Sequence, residues 1–420
     1  MSGGNVAGCT IISPNYLAYA RTLASSYVAQ HPEQQFFVLI VAALEADATA
    51  HFAGDGFTPV MLNEVGLADV RGLGMKYDIL ELNTNVKPTF LKYLIDSYKL
   101  EQVIYLDPDI FVYQPLTPVF RALDDGATAV LTPHLTAPIE DDKRPSEQDM
   151  LYNGTYNLGF VAVGRGEESR RLLDWWERRC LTQGYYEGRT GLFVDQKWMN
   201  LAPGMFADVA ILRDAGCNMA YWNLQERRLI ADGDSYSVAR IGTGSEEAPV
   251  PLRFFHFSGI DVKDAAVLSK NSDRFTLAER PDLERMFSDY KAVVLAKQDE
   301  QAGALAYGFD RFSDGTVVTQ LARRIYAQHH DAGRWAGEDP FDATGKFAAF
   351  AKKMGLVAGR EVVAKSTWRQ FQAADRRVVM VHRLLRIALR VLGPHRYELL
   401  MRYLGHISVL RNQSVFLDDK

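Results

Sequence analysis

The sequence predicts a doubly wound α/β domain followed by an α-helical region, and three observations predict it. Apolar runs at 7–12, 36–43 and 102–106 are hydrophobic throughout instead of alternating, as strands buried on both faces are. Stretches of helical periodicity separate them, the order expected of a parallel sheet with helices on both faces. Past residue 300 the alternation fades, and from Asp314 onward the chain reads as helical and more basic.

Residues 7–12 read as a short buried strand, and 15–29 carry Leu17, Ala20, Leu23, Ala24 and Tyr27 at helical spacing. Residues 36–43 form a second strand, 59–62 a third, and 88–98 a helix leading into the strand that ends at Asp107. Further strands are expected at 127–131, 158–163 and 252–257, with an amphipathic helix at 167–180 carrying Trp175 and Trp176.

The length of 420 residues suits two or three domains, and 47% hydrophobic with 24% charged residues is an ordinary soluble composition. A net charge of −5 argues against nucleic acid as a partner. Cys9, Cys180 and Cys217 are widely spaced and form no CxxC pair, which excludes a zinc site of that kind and fits a reducing, cytoplasmic compartment. The N-terminus lacks a basic region followed by an apolar stretch, so no signal peptide is expected. No run reaches the roughly 18 apolar residues that span a bilayer.

Four motifs carry chemistry. In Asp107-Pro108-Asp109 two carboxylates one residue apart close an apolar strand, so both can converge on one hard divalent cation, Mg²⁺ or Mn²⁺, with diphosphate oxygens completing its shell. In Tyr156-Asn157-Leu158-Gly159-Phe160 a polar side chain enters a strand, and Gly159 permits close approach of a ligand. Asp195-Gln196 places a carboxylate and a carboxamide at a helix start, where an aspartate is otherwise an N-cap. In 253–259 the imidazole of His256 emerges from an aromatic strand beside the turn at Gly259.

This ordered set resembles the GT-A class of nucleotide-sugar glycosyltransferases, most nearly the glycogenin-like family 8. That family has an Asp-any-Asp motif, an Asn-any-Gly strand, an Asp-Gln pair and a His-any-any-Gly turn followed by lysine. The resemblance covers roughly residues 7–270 and implies a GT-A catalytic domain over 1–295, with a helical region over 296–420. It implies a metal held by Asp107, Asp109 and His256, with Asp109, Asp195 and Gln196 as the catalytic set. It further implies donor contacts by Thr10, Lys92, Asp107, Asn157, Gly159, Asp195, Gln196, Gly259 and Lys263, a UDP-sugar donor, and retention of anomeric configuration. The acceptor class stays open among glycan, lipid-linked and protein acceptors. Three departures stand out. Lys263 falls one residue later than the family's lysine, 13–16 holds no early aspartate, and Val41-Ala42-Ala43 replaces the acid after the second strand.

Two alternatives remain. A sugar nucleotidyltransferase would show a glycine-rich basic loop after the first strand, where this chain has Ser13-Pro14-Asn15-Tyr16. A non-catalytic nucleotide-sugar-binding protein would have no need of Asp107, Asp109 and His256 together. Between Asp375 and Arg411 stand eight arginines and two acids, Asp375 and Glu398, interleaved with Val379, Leu384, Ile387, Leu389, Val391, Leu399, Leu400 and Leu404. Such a surface suits peripheral contact with the inner membrane face, or packing on the catalytic domain or in a homo-oligomer. The Gly393-Pro394 break favours two short helices, as a packed hairpin needs.

Overall fold

A seven-stranded sheet assembles from the apolar runs. The computed structural model describes residues 5–44, 51–52, 54, 56–242, 247–264, 266–299, 303, 305–330, 332–360 and 376–413. The sheet's strands include β1 (Val6–Ile12), β2 (Gln35–Ile40), β3 (Thr58–Met61) and β4 (Gln102–Leu106). A short β5 (Ile110–Val112) follows outside it, and β6 (Ala129–Pro133) and β7 (Tyr156–Gly164) return to it. The order across the sheet is Val209–Ile211, β6, β7, β4, β1, β2, β3. The β1–β2, β1–β4, β2–β3 and outermost pairs are parallel, and only β7 runs antiparallel to its neighbours. The mainly parallel α/β fold and the helical C-terminal region expected from the sequence are both present.

Side-chain alternation explains why both sheet faces are covered. Phe36, Val38 and Ile40 of β2 share one buried cluster with Leu17, Ala20, Leu23 and Tyr27 of the Leu17–Gln30 helix. Phe37, on the opposite face, meets Tyr98 of the Lys87–Tyr98 helix with ring centroids 4.4 Å apart. At Gly8 a methyl group would sit 2.7 Å from atoms of both Tyr27 and Phe36, so the first helix reaches the sheet only because that residue has no side chain. β5 leaves the main sheet and pairs antiparallel with Phe254–His256, which registers His256 against Ile110. A second core of Leu252, Phe255, Phe257, Leu283, Phe287 and Tyr290 backs this small sheet.

The chain forms two compact units. The first takes in Met1–Val70 and Ile79–Gly308 and holds all of the strands above. The second joins the short internal stretch Arg71–Asp78 to Phe309–Lys420. Within that second unit the buried guanidinium of Arg323 donates to the carbonyls of Gly74 (2.6 Å), Tyr77 (2.9 Å) and Phe309 (2.5 Å), tying the internal stretch to the C-terminal chain. Trp335, Phe347, Phe350 and Tyr326 pack against one another, edge-on or tilted, as a small aromatic core of that unit. The helix Arg376–Ile407 is broken at Gly393, whose φ of 72° and ψ of 166° are not helical, as the sequence break predicts. Asp375, the first residue of the basic stretch, lies outside the described residues.

Candidate active site

The centre of the first unit delivers its chemistry at the C-terminal end of β4. Asp107 N–H donates to the Gly159 carbonyl at 2.7 Å, and Ile110 N–H closes the turn onto the Asp107 carbonyl at 3.0 Å. The Asp109 carbonyl accepts from Phe257 N–H at 2.9 Å, so the strand carrying His256 is stitched directly to the Asp-Pro-Asp turn. His256 Nε2 consequently lies 3.0 Å from Asp109 Oδ1 and 3.8 Å from Asp107 Oδ2. The three side chains each offer a ligand atom, all within 4.8 Å of one another. Tyr105 O–H donates to the other oxygen of Asp107 at 2.7 Å, fixing that carboxylate's orientation.

Gly159 explains why the cluster fits. A Cβ there would lie 2.3 Å from His256 Cε1 and 2.8 Å from both Asn157 Oδ1 and Asp107 Oδ2. Any side chain would therefore fill the space these groups share.

Electrostatics mark the cluster as unfinished. Burial alone would depress the His256 pKa, yet the carboxylates of Asp109 and Asp107 outweigh it and hold it above the ordinary imidazole value. His256 is 3% exposed and its Nδ1 has no hydrogen-bond partner, while the Asp107 and Asp109 side chains remain 32% and 21% exposed. Two open carboxylates beside one buried nitrogen suit a divalent cation that prefers oxygen, and Mn²⁺ or Mg²⁺ fits this donor set.

A second carboxylate site lies behind β7. Lys87 Nζ contacts Asp195 Oδ2 and the Leu158 carbonyl, both at 2.6 Å, and sits 4.2 Å from the Tyr105 ring centroid. Burial pushes the Asp195 carboxyl upward against the opposing charge of Lys87. Trp176 Nε1 holds the Asp195 carbonyl at 3.0 Å. Gln196 Oε1 accepts from Leu158 N–H at 3.0 Å, and its amide donates to the Asn153 carbonyl at 3.2 Å. The preceding Val194 has φ 41°, a left-handed conformation that costs a β-branched residue about 1–3 kcal/mol.

Asn157 is buried within a polar network. Its Oδ1 accepts from Asn218 Nδ2 at 3.1 Å, and its amide lies 3.4 Å from His134 Nε2. Trp222 stands edge-on between His134 and His256, with centroids 5.2 and 5.1 Å away.

The structure thus gathers Asp107, Asp109, His256, Asn157 and Gly159, and joins Asp195 and Gln196 to the backbone of β7. Other sequence-predicted residues sit differently. Thr10 is fully buried, short of the β1 terminus at Ile12, and its hydroxyl has no partner. Lys92 is bound by Asp174 and Glu177, each at 2.6 Å, so its charge is already matched on the Glu167–Gln183 helix. Five residues separate it from Lys87, which puts the two lysines on different helix faces. Lys263 is exposed, and its backbone N–H donates to Asp261. Gly259, at φ 74°, accepts at its carbonyl from Lys270 N–H at 2.9 Å.

Lys87, Lys270, His134, Asn218 and Tyr16 escaped sequence reasoning. The Lys87-Pro88 helix start was a usable signal, since a charged residue facing a buried strand needs a partner. Tyr16 is 45% exposed, and burial with the charges of Asp109 and Asp107 raises its phenol pKa while Lys270 opposes them. Tyr16 stands in the Pro14–Tyr16 turn just past the end of β1, and Lys270 is tied by its N–H to Gly259, three residues beyond His256.

A cavity of about 1190 Å³ lies elsewhere and is lined by Val6, Gln102, Gly164 and Ser169 among others. It opens where β1 and β4 begin and antiparallel β7 ends. Ligands of open parallel sheets bind beyond the opposite, C-terminal strand ends, where Asp107 stands.

No protein-family model matches the chain. Residues of the chain are 27% identical over 260 positions to the uncharacterized protein YfnF of Bacillus subtilis (strain 168), spanning 60% of this chain and 81% of that one. A second protein of that organism, YfnD, is 24% identical over 253 positions, spanning 60% and 76%. Among solved structures, the galactosyltransferase LgtC with donor and acceptor sugar analogs matches at TM-score 0.42 and 16% identity, covering 71% of this chain and 99% of that one. Mouse xyloside xylosyltransferase 1 matches at TM-score 0.34 and 12% identity, covering 60% and 97%. At these levels the site geometry, and not the likeness, carries the function.

Proposed function

We propose that this protein is a metal-dependent glycosyltransferase of the glycogenin-like kind, moving a sugar from a UDP-sugar to a glycan, lipid-linked or protein acceptor. The observation that carries the reading is the convergence of Asp107, Asp109 and His256 around the empty side-chain position of Gly159. Asp107 and Asp109 would hold Mn²⁺ or Mg²⁺ with neutral His256. When bound, the ion supplies Lewis-acid stabilisation of the negative charge that builds on a leaving diphosphate.

The chain's own residues do the rest. Tyr105 orients Asp107, which keeps the metal-facing oxygen preorganised. Tyr16 offers an exposed aromatic face at the rim for a nucleobase, and Lys270 a positive charge for the diphosphate. Asn157, held by Asn218, presents its amide group toward the space beside Gly159, where a sugar hydroxyl can be read. Gln196 is an amide already engaged by β7 and is a poor nucleophile. Retention then goes with attack of the acceptor hydroxyl on the face the diphosphate leaves.

Release of UDP, GDP, CDP and dTDP from their sugars in Mn²⁺ tests the reading. UDP release is expected to dominate, and Asp109→Asn is expected to lower it on the order of 10²–10³-fold. A wild-type rate in that variant at saturating Mn²⁺, or a preference for GDP or CDP, overturns the metal or the donor assignment respectively.

A further inference from the structure

The helix Arg376–Ile407 has no buried residue among those described, although it is rich in leucine, isoleucine and valine. Val391 is 76% exposed, Leu399 69% and Met380 58%. At helical spacing Met380, Leu384, Ile387 and Val391 form one continuous ridge. Arg376, Arg383, Arg386 and Arg390 run along the edge of that ridge, all exposed, and Arg383, Arg386 and Arg390 have no carboxylate partner among the described residues. Beyond the Gly393 break, Tyr397, Leu400, Met401 and Leu404 form a second ridge, with Glu398 and Arg402 paired at 2.6 Å on the other side. Glu398 is the only acid in 376–413, against eight arginines.

We infer that this broken helix is a membrane-surface anchor that lies in the headgroup layer of an anionic bilayer. The two chemistries of this segment select that partner. Apolar ridges of this exposure need an apolar partner, and the arginine edge needs negative charge at the same depth. A bilayer containing anionic lipid offers both, with arginine stems lying along the acyl boundary and guanidinium groups reaching phosphates. A second copy of the chain serves less well. Two-fold pairing brings the same patch against itself, so arginine-edged ridges would meet arginine-edged ridges. No helix of the described residues is long and apolar enough to cross a membrane. The Gly393 break divides the segment into two pieces that each present an apolar ridge on one side, which is in-plane and not spanning geometry.

The inference stands apart from the transferase reading, because no residue of the Asp107 cluster enters it. Co-sedimentation of the full chain with vesicles of phosphatidylcholine alone, and of phosphatidylcholine mixed with phosphatidylglycerol, is the test. Binding is expected to the mixed vesicles only, and to weaken as salt shortens the electrostatic range. A triple variant, Arg383→Gln with Arg386→Gln and Arg390→Gln, is expected to lower partitioning about a hundredfold, on the scale of about fivefold per basic residue. The pair Leu384→Ser and Ile387→Ser is expected to reduce it without changing charge, and donor cleavage should be unchanged in both variants. Equal binding to both vesicle types, or unaltered binding by the triple variant, overturns the proposal. So does a failure to bind vesicles accompanied by a concentration-dependent dimer in sedimentation velocity that the serine pair dissociates.

Discussion

Two carboxylate sites flank β7, and they have opposite fates. Asp107 and Asp109 stand at the end of β4 with part of their surface open and one buried histidine between them. Asp195 is 2% exposed and closed onto Lys87, also 2% exposed. The first site has more negative charge than its protein partners neutralise. The second is neutral in sum, its carboxylate held by the Lys87 ammonium while Trp176 Nε1 donates to the Asp195 backbone carbonyl. An open charge excess can take up a cation, whereas a closed pair can only hold shape. The same residue type is therefore open to a ligand in one place and closed onto a protein partner in the other, and burial with partner count makes the difference.

The sharpest way to break this comparison is to open the closed site. Lys87→Met leaves the Asp195 carboxylate buried and unpaired, and loss of about 3–5 kcal/mol of stability is expected. Adding Asp195→Asn removes the orphan charge and should restore most of that loss. Denaturant midpoints of the two variants measure it. A single-variant loss below about 1 kcal/mol, the scale of an exposed pair, would show that Asp195 is not held as a scaffold.

The Asp107 site was legible in the sequence because its logic is local: two acids one residue apart at a strand end, with Gly159 and His256 in recognisable settings. The strand boundaries were legible for the same reason, since apolar runs announce buried strands. The antiparallel direction of β7 was not, because a strand buried on both faces looks alike in either direction. The partners of the closed site were not legible for a related reason. Asp195 and Gln196 are expected from the sequence as sugar contacts, and the groups they hold in the structure, Lys87, Leu158 and Asn153, come from distant chain segments. Lys92 drew attention through position alone, and its two carboxylate partners lie more than eighty residues away in sequence. The stretch Arg71–Asp78 joins the second unit through Arg323, the Arg71–Asp339 pair and the Gln320–Asp78 hydrogen bond, partners distant in sequence that no local pattern reveals.

A milder probe is pH, because His134 belongs to the buried Asn157 network beside the open site. Burial lowers its pKa from an ordinary value near 6.5 to about 4, with a smaller opposing effect from the Thr155 carbonyl. The folded state therefore resists a proton that the unfolded chain accepts below pH 6.5. The stability this residue gives is complete above pH 6.5 and is lost as pH falls toward 4. Roughly 3 kcal/mol is the expected loss at pH 4 relative to pH 7 from this group. His134→Gln should remove that share of the slope, seen as a flatter melting temperature against pH than the wild type. Parallel curves for the two proteins would show that His134 titrates normally.

The smallest expected effect separates two lysines near the open site. Lys263 has the sequence position nearest the family's lysine, but it is exposed and its backbone serves the Asp261 turn. Lys270 follows seven residues later, its N–H bound to the Gly259 carbonyl at 2.9 Å and its ammonium 2.8 Å from Asp261. Its side chain is 62% exposed, so the Asp261 pair is weak and readily exchanged for a phosphate oxygen. The backbone tie of Lys270 to Gly259 anchors it three residues past His256, on the strand end that carries the cluster. Lys270→Ala is expected to raise KM for the UDP-sugar about tenfold with kcat little changed, the pattern of lost uniform binding. Lys263→Ala should leave both constants within about twofold. Steady-state kinetics in Mn²⁺ at low salt compares them, and a larger effect from Lys263→Ala than from Lys270→Ala would return the diphosphate contact to the position the sequence suggested.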